Sequence, residues 1–251
     1  MKEAADLPLR RIPCPECPLR RHGPFKPYTD DEISFINSFK KRQVGVRAGR
    51  EIIHAGDPNP PLYTLFKGWA FRFKTLPDGR RQILNFLLPG DPIGFQAHMF
   101  EAAPHGVEAL TDVELCVLER AKIWELYREF PEIAFDVTWL TAHEEGLVDE
   151  NLLAVGQRTA QERIAALLIQ LYKRAETLGL GNGHGLEFPL TQQHIADALG
   201  LSLVHTNKSL RKLEKMGFSE IKGRGLTITN GHALSSLAAY FDEPVMRRPL
   251  L

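Results

Sequence analysis

The spacing of apolar residues changes along the chain, and each change predicts a different kind of structure. Between residues 29 and 39 the apolar residues recur at helical spacing after a capping threonine, which predicts a short helix. Between residues 42 and 120 short, largely alternating runs are separated by glycine turns, and Asp78-Gly79 is a hairpin signal. This second region predicts an all-β barrel or sandwich. Prolines in residues 1–28 predict an extended, non-helical segment.

Helical spacing returns between residues 121 and 177. Pro131 suits the first turn of a long helix, and a heptad pattern follows it for about three repeats. Such a pattern predicts pairing with a second copy, although a single helix packed on its own barrel would give a similar stripe. The predicted dimer seam consists of Ile133, Val137, Leu140, Leu147, Asn151 and Ala154, with Glu144 as a further polar member. A capping box at residues 159–162 begins the next helix, and Gly156 before it predicts a hinge.

The stretch from residue 189 to residue 218 predicts two short helices joined by a tight turn. Thr191 and Ser202 can cap the two helices, and Gly200 suits a left-handed stop between them. The outward face of the second helix combines short polar groups with cations, which is what base edges and phosphates require. An ordinary helical corner with a solvated basic face is the alternative. The predicted DNA contacts on this helix are Ser202, Leu203, Val204, His205, Asn207, Lys208 and Arg211.

The next residues, 217–229, predict a strand, a glycine turn and a second strand. A hairpin directly after such a helix is a wing, and Lys222 and Arg224 at its tip suit the phosphate backbone. The formal net charge of the chain is zero, yet residues 201–229 hold six Lys and Arg against two Glu, a local charge of +4. The positive charge is therefore concentrated where DNA would bind.

Composition agrees with a globular protein of one large domain or two small ones. The chain has 251 residues, of which 43% are hydrophobic and 25% charged. No apolar run approaches the roughly 20 residues of a membrane span, and the charged start of the chain does not resemble a signal peptide. Three cysteines are too few for a secreted disulfide framework, so we expect a cytoplasmic protein.

A barrel, a long helix and a winged helix in this order resemble the Crp/Fnr-type transcription regulators, from about residue 10 to about residue 240. The resemblance is carried by residues 62–68, by the Leu-Pro-Gly-Asp-Pro-Ile-Gly turn at 88–94, by residues 159–165 and by the two-helix motif. It implies an α+β fold in which an effector in an N-terminal β-roll controls DNA binding by a homodimer. It also implies a two-fold symmetric double-stranded DNA site, contact with RNA polymerase and no catalysis.

The resemblance divides the chain into five expected parts. They are a cysteine-containing segment (1–28), a cyclic-nucleotide-binding-like β-roll (29–130), a dimerisation helix (131–155), a winged helix-turn-helix domain (156–240) and a tail (241–251).

Cyclic-nucleotide-binding members of this family place a Glu after the Ile-Gly of the turn and an Arg-Ser pair further on. Here Phe95 and Gln96 follow the turn, and residues 103–108 contain no Arg-Ser pair. A phosphate would therefore lose a bidentate, charge-assisted contact, so a cyclic nucleotide is not the expected effector.

Oxygen-sensing members hold an iron–sulfur cluster with cysteines near the N-terminus and one cysteine late in the barrel. Cys14, Cys17 and Cys116 match these two places, but the usual third N-terminal cysteine is absent near Gly23. His22 could supply a fourth ligand, as could a carboxylate or an exogenous group.

Other interpretations of the cysteines remain open. Cys116 could simply be a small apolar residue of the core. The Cys-x2-Cys pair could be half of a zinc knuckle, a redox dithiol or the remnant of an ancestral site. A regulator without a cofactor, controlled by its abundance, is also consistent with the sequence. Haem at His98 or His105 is the least favoured option, because isolated loop histidines are usually solvated.

The recognition helix differs from that of the oxygen sensors, which present a Glu and an Arg four residues apart to the bases. Val204 and Lys208 stand at these positions, so we expect a different DNA site.

Two other classes of protein compete with a regulator. A signalling module that does not bind DNA would have no need of the winged helix. A redox or metal enzyme would need a nucleophile–base constellation, and none stands out.

Overall fold

The computed structural model describes residues 7–21, 24–99, 102–181, 185–240 and 247–251, apart from the side chains of 98 and 99. The chain divides into two compact units. Unit 1 contains Met1–Lys74, Phe86–Gly146 and Met246–Leu251, and unit 2 contains Thr75–Asn85 and Leu147–Val245. Neither unit is therefore a single continuous stretch of sequence. No described helix combines the length and apolarity needed to span a bilayer.

Unit 1 is built on a five-stranded and a four-stranded sheet, in the orders β1-β2-β9-β4-β7 and β3-β8-β5-β6. Alternate residues of both sheets, such as Val44, Leu65 and Val107, meet in one buried cluster, which confirms the predicted barrel. Strands β1, β7 and β8 have only two to four residues each, which is too short to give a recognisable alternation of apolar and polar residues in the sequence. The strands are β1 (Leu7–Leu9), β2 (Lys40–Val46), β3 (Glu51–Ile53), β4 (Leu62–Lys67), β5 (Ala70–Thr75), β6 (Arg81–Leu87), β7 (Pro92–Ile93), β8 (Gly106–Ala109) and β9 (Val113–Leu118).

The proline-rich N-terminal segment is not extended throughout, so that prediction is wrong. It forms two single-turn 3-10 helices, Cys14–Glu16 and Pro18–Arg21. Proline fixes φ near the helical value and lacks only an N–H that the first turn leaves free, so it favours such short turns.

Four helices accompany the sheets: α1 (Asp30–Phe39), α2 (Phe95–Met99), α3 (Ile123–Glu129) and α4 (Pro131–Gln157). The predicted cap of α1 is confirmed, because the Thr29 N–H donates to Glu32 Oε2 at 2.7 Å and the Glu32 N–H donates to Thr29 Oγ1 at 3.3 Å. Pro131 begins α4 as predicted. The helix runs through Gly156 and ends at Gln157, so the chain breaks at residues 158–159, within the region around Gly156 where a hinge was predicted.

Most residues of the predicted dimer seam are buried within their own chain. Ile133, Val137 and Leu140 are almost fully buried in one cluster with residues of α1. Leu147 and Ala154 are also buried, and Asn151 Nδ2 donates to the Leu84 carbonyl at 2.6 Å. A helical stripe has the same spacing whether it packs on its own fold or on a second copy, so the pattern could not tell the two apart.

Unit 2 combines helices α5 (Ala160–Thr177), α6 (Gln192–Leu199), α7 (Leu203–Lys215) and α8 (Gly231–Ala238) with strands β10 (Leu186–Glu187), β11 (Ser219–Lys222) and β12 (Gly225–Ile228). The apolar face of α5 is buried, and its predicted cap is present in the Thr159 N–H that donates to Glu162 Oε2 at 2.7 Å. Residues 75–85, which are the β5–β6 turn and most of β6, also belong to this unit, and Arg81 Nε of β6 lies 3.1 Å from Asp197 Oδ2 of α6.

Candidate nucleic-acid interface and thiol pocket

Local hydrogen bonds define the ends of α6 and α7. Thr191 Oγ1 accepts from the His194 N–H at 3.2 Å, while the Thr191 N–H donates to His194 Nδ1 at 3.1 Å. Gly200 adopts a left-handed φ of 62°, and Ser202 Oγ accepts from the His205 N–H at 3.2 Å. The predicted helix-turn-helix is therefore present. The sequence did not reveal that His194 would complete the cap, which is a place usually taken by Glu or Gln.

The outward face of α7 gathers the residues predicted to contact DNA. Thr206, Ser209 and Leu213 are buried and fix the helix on its unit, which leaves the opposite face exposed. Val204 is 62% exposed, unusual for a valine. Asn207 is half-buried, and the other predicted contacts on this helix are exposed: Ser202, Leu203, Val204, His205, Lys208 and Arg211.

The wing is formed by β11 and β12, which pair antiparallel around Gly223, where φ is 59°. Lys222 and Arg224 are exposed at its tip, as predicted. Lys222 Nζ also lies 2.7 Å from Glu220 Oε1, and this neighbour raises the pKa of the lysine. Such an exposed pair is weak, so Lys222 can exchange the carboxylate for a phosphate at little cost.

Cys14 and Cys17 line the same cavity of unit 1 as Cys116, which is about a hundred residues away in sequence. Cys14 begins the first 3-10 turn, Cys17 follows it, and Cys116 lies on β9 between Gln43 and Thr64. All three are free thiols. The cavity measures about 20 Å³, and its other lining residues include Arg20, Lys40, Leu250 and Leu251.

Burial governs the chemistry of these thiols. It raises the pKa of Cys14 and raises that of Cys116 to about 11, against the opposing effect of the nearby Lys40 ammonium. Lys40 is itself buried and donates to the Ile12 carbonyl at 2.9 Å and to Gln43 Oε1 at 3.1 Å. Both buried thiols are therefore protonated at neutral pH, and a protonated thiol is a poor nucleophile and a poor metal ligand.

The pocket in this arrangement does not fit a four-iron cluster. A cavity of about 20 Å³ holds roughly one water molecule, and two leucines form part of its wall. Among the described residues, no three His, Cys, Asp or Glu side chains form a group that could hold a metal ion. His22, the suggested fourth ligand, lies outside the described residues, as does the side chain of His98.

A buried ion pair lies near the expected effector region of the β-roll. Arg72 on β5 pairs through Nη2 with Glu144 Oε2 on α4, and each side chain is only 5% exposed. Arg72 Nη1 also donates to Gln96 Oε1 at 3.0 Å. His105 is half-buried, and burial together with Arg72 and Lys74 lowers its pKa to about 4.

Both units resemble known protein families. Residues 43–130 match the cyclic nucleotide-binding domain, and residues 162–237 match the Crp-like helix-turn-helix domain. The nitrogen fixation regulation protein FixK of Rhizobium meliloti is 34% identical over 195 residues, which cover 76% of this chain and 84% of that protein. The transcriptional activator protein FnrL of Cereibacter sphaeroides is 28% identical, over 88% and 89% of the two chains. The solved structure of FixK2 from Bradyrhizobium japonicum aligns with a TM-score of 0.71 and 27% identity, covering 78% of this chain and 96% of that one.

Proposed function

Since this chain belongs to the Crp/Fnr family of DNA-binding transcription regulators, we propose that it acts as a homodimer on a two-fold symmetric DNA site. The observation that carries the proposal is the exposed face of α7 beside a basic wing. On this proposal the protein works in the cytoplasm, where the DNA is, and contacts RNA polymerase there.

Base recognition is assigned to α7 and backbone contact to the wing. Lys208 can donate to guanine, Asn207 can pair with adenine, and Val204 can contact a thymine methyl group. The exposed cations at the wing tip, Lys222 and Arg224, would bind phosphates in any sequence. A valine cannot accept a hydrogen bond from cytosine, so the half-site differs from one read by glutamate.

We assign the dimer contact to the exposed face of α4, opposite the face that packs inside the chain. Phe135 is 68% exposed and Leu152 is 70% exposed, although both are large apolar residues. With Ala142 and Asp149 they fall at spacings of seven, seven and three residues, which is the repeat of a two-helix seam. The occupant is a second copy, because a two-fold DNA site requires two recognition helices in fixed register.

Two kinds of control are compatible with unit 1. The shared cavity of the three cysteines favours control by their redox state, since oxidation would change its packing. The second candidate is a regulator set by abundance, consistent with thiols that burial keeps protonated.

Selection of bound genomic fragments, followed by footprinting, tests the DNA-binding proposal. We expect protected sequences with two inverted half-sites about one helical turn apart. Equal affinity for selected and random fragments at physiological salt would contradict sequence-specific binding.

A further inference from the structure

The final residues of the chain dock on unit 1. Arg248 forms a parallel β-bridge with Phe25, in which the Arg248 N–H donates to the Pro24 carbonyl at 2.6 Å and the Lys26 N–H donates to the Arg248 carbonyl at 3.0 Å. Further along, the Leu250 carbonyl accepts from Arg20 Nη2 at 3.0 Å, and the Leu251 carbonyl accepts from Thr64 Oγ1 at 2.7 Å. We call residues 247–251 the docked segment.

The Arg248 side chain has a site of its own in the turn at residues 89–91. Its Nη1 lies 2.5 Å from Asp91 Oδ1, its Nη2 donates to the Pro89 carbonyl at 2.6 Å, and its guanidinium covers the Phe25 ring at 4.9 Å. Asp91 is 1% exposed, so this contact is between charges removed from water.

Gly90 shows how closely the turn fits its occupant. Its φ is +92°, and a Cβ there would lie 2.5 Å from Phe25 Cζ and 2.8 Å from Arg248 Nη2. Any side chain at this position would displace the ring or the guanidinium. The turn therefore has space for the arginine only because residue 90 is glycine.

The two leucines of the docked segment close the thiol cavity. Leu250 and Leu251 are almost fully buried, and both line the same cavity as Cys14, Cys17 and Cys116. Removal of the segment would take away one wall and expose the thiols to solutes.

We propose that unit 1 contains a peptide-binding groove specific for an Arg-Pro-Leu-Leu segment, filled by residues 248–251 of the same chain, and that the docked segment shields the two buried thiols, Cys14 and Cys116. Recognition combines a buried carboxylate for the guanidinium, backbone bonding on both sides of Arg248, and an apolar cavity for the leucines. The groove rests on contacts within unit 1 alone, so it does not depend on DNA binding.

Thiol labelling of the full chain tests this proposal. Arg248→Gln removes the charge at the Asp91 contact, and Arg247→Gln is the matched control, because Arg247 is the exposed neighbour. The probe is N-ethylmaleimide, and mass spectrometry gives the labelling rate of each cysteine. We expect Cys14 and Cys116 to react at least about tenfold faster in Arg248→Gln, since removing one partner of a buried charge pair is strongly unfavourable. Equal rates in both variants would overturn the proposal.

A rescue experiment separates a groove from general loss of stability. The pentapeptide Arg-Arg-Pro-Leu-Leu, added to the Arg248→Gln variant, should slow labelling towards the wild-type rate. The same peptide with Gln in place of the second Arg should have little effect. Fast labelling that neither peptide slows would refute the groove, since the thiols would then be exposed by unfolding and not by release of the segment.

Discussion

Glu144→Gln gives the sharpest test of how unit 1 is held together. Glu144 and Arg72 are each 5% exposed and form an ion pair between α4 and β5. The amide keeps the shape of the side chain but removes its charge, so the Arg72 guanidinium remains buried without its anion. Breaking a buried pair in this way costs about 3–5 kcal/mol. That is about a third of the 5–15 kcal/mol that typically stabilises a domain.

The assay can be restricted to unit 1 without cutting the chain. All three tryptophans, Trp69, Trp124 and Trp139, belong to that unit, so their fluorescence follows its unfolding. With an m-value of about 2 kcal/mol/M in urea, the expected loss lowers the midpoint by roughly 2 M.

Two further variants decide the interpretation. Glu145→Gln changes the adjacent, exposed carboxylate and should alter stability by no more than about 0.5 kcal/mol. Replacing both partners, as Arg72→Met with Glu144→Leu, should restore most of the loss because no charge remains buried. If Glu144→Gln lowers the midpoint no more than Glu145→Gln does, the ion pair does not hold α4 on the sheet.

Four further outcomes follow from the structure. Lys208→Ala should weaken binding to the selected DNA by about 1–3 kcal/mol and relax base choice, while the control Arg224→Ala should weaken binding to all sequences alike. Equal losses on specific and random DNA in a gel shift would exclude base recognition by Lys208. His105 has a pKa lowered to about 4, so the folded state disfavours its protonation. The free energy of unfolding therefore keeps its full value above about pH 6.5 and falls by up to about 3 kcal/mol towards pH 4. His105→Gln should reduce this loss when unfolding is measured as a function of pH. Phe135→Glu should convert a dimer into monomers in light scattering, and an unchanged mass would place the contact elsewhere. Anaerobically purified protein should contain less than one iron per chain in iron and sulfide assays, because the cavity holds roughly one water; four irons per chain would show that the pocket opens.

The elements predicted best from the sequence depend on neighbours a few residues apart. The caps at Thr191 and Ser202 and the stop at Gly200 involve partners within four residues, so their chemistry can be read locally. The apolar stripe of α4 was recognised, but its spacing indicates only that a face is buried and does not identify what packs against it. The Arg248 contact with Asp91 spans 157 positions, and no local pattern marks an arginine as the partner of a distant turn.

Convergence of the cysteines was anticipated only through family resemblance. Cys14 and Cys17 lie about a hundred residues before Cys116, and spacing alone does not bring a 3-10 turn against a strand. The other residues that line the cavity around these cysteines could not be predicted from the sequence either. Lys40 begins β2, yet this lysine is buried and lines the thiol cavity instead of reaching solvent.

The order of the chain gives the docked segment a consequence for biosynthesis. Residues 247–251 complete unit 1 but are translated after all of unit 2. At about 5–20 residues per second, roughly 7–27 seconds separate the synthesis of Cys116 from that of Leu250. During that interval Leu250 and Leu251 do not yet exist, and the cavity lacks one of its walls. If the docked segment shields the thiols as proposed, each newly made chain passes through a brief period in which Cys14 and Cys116 lack that cover.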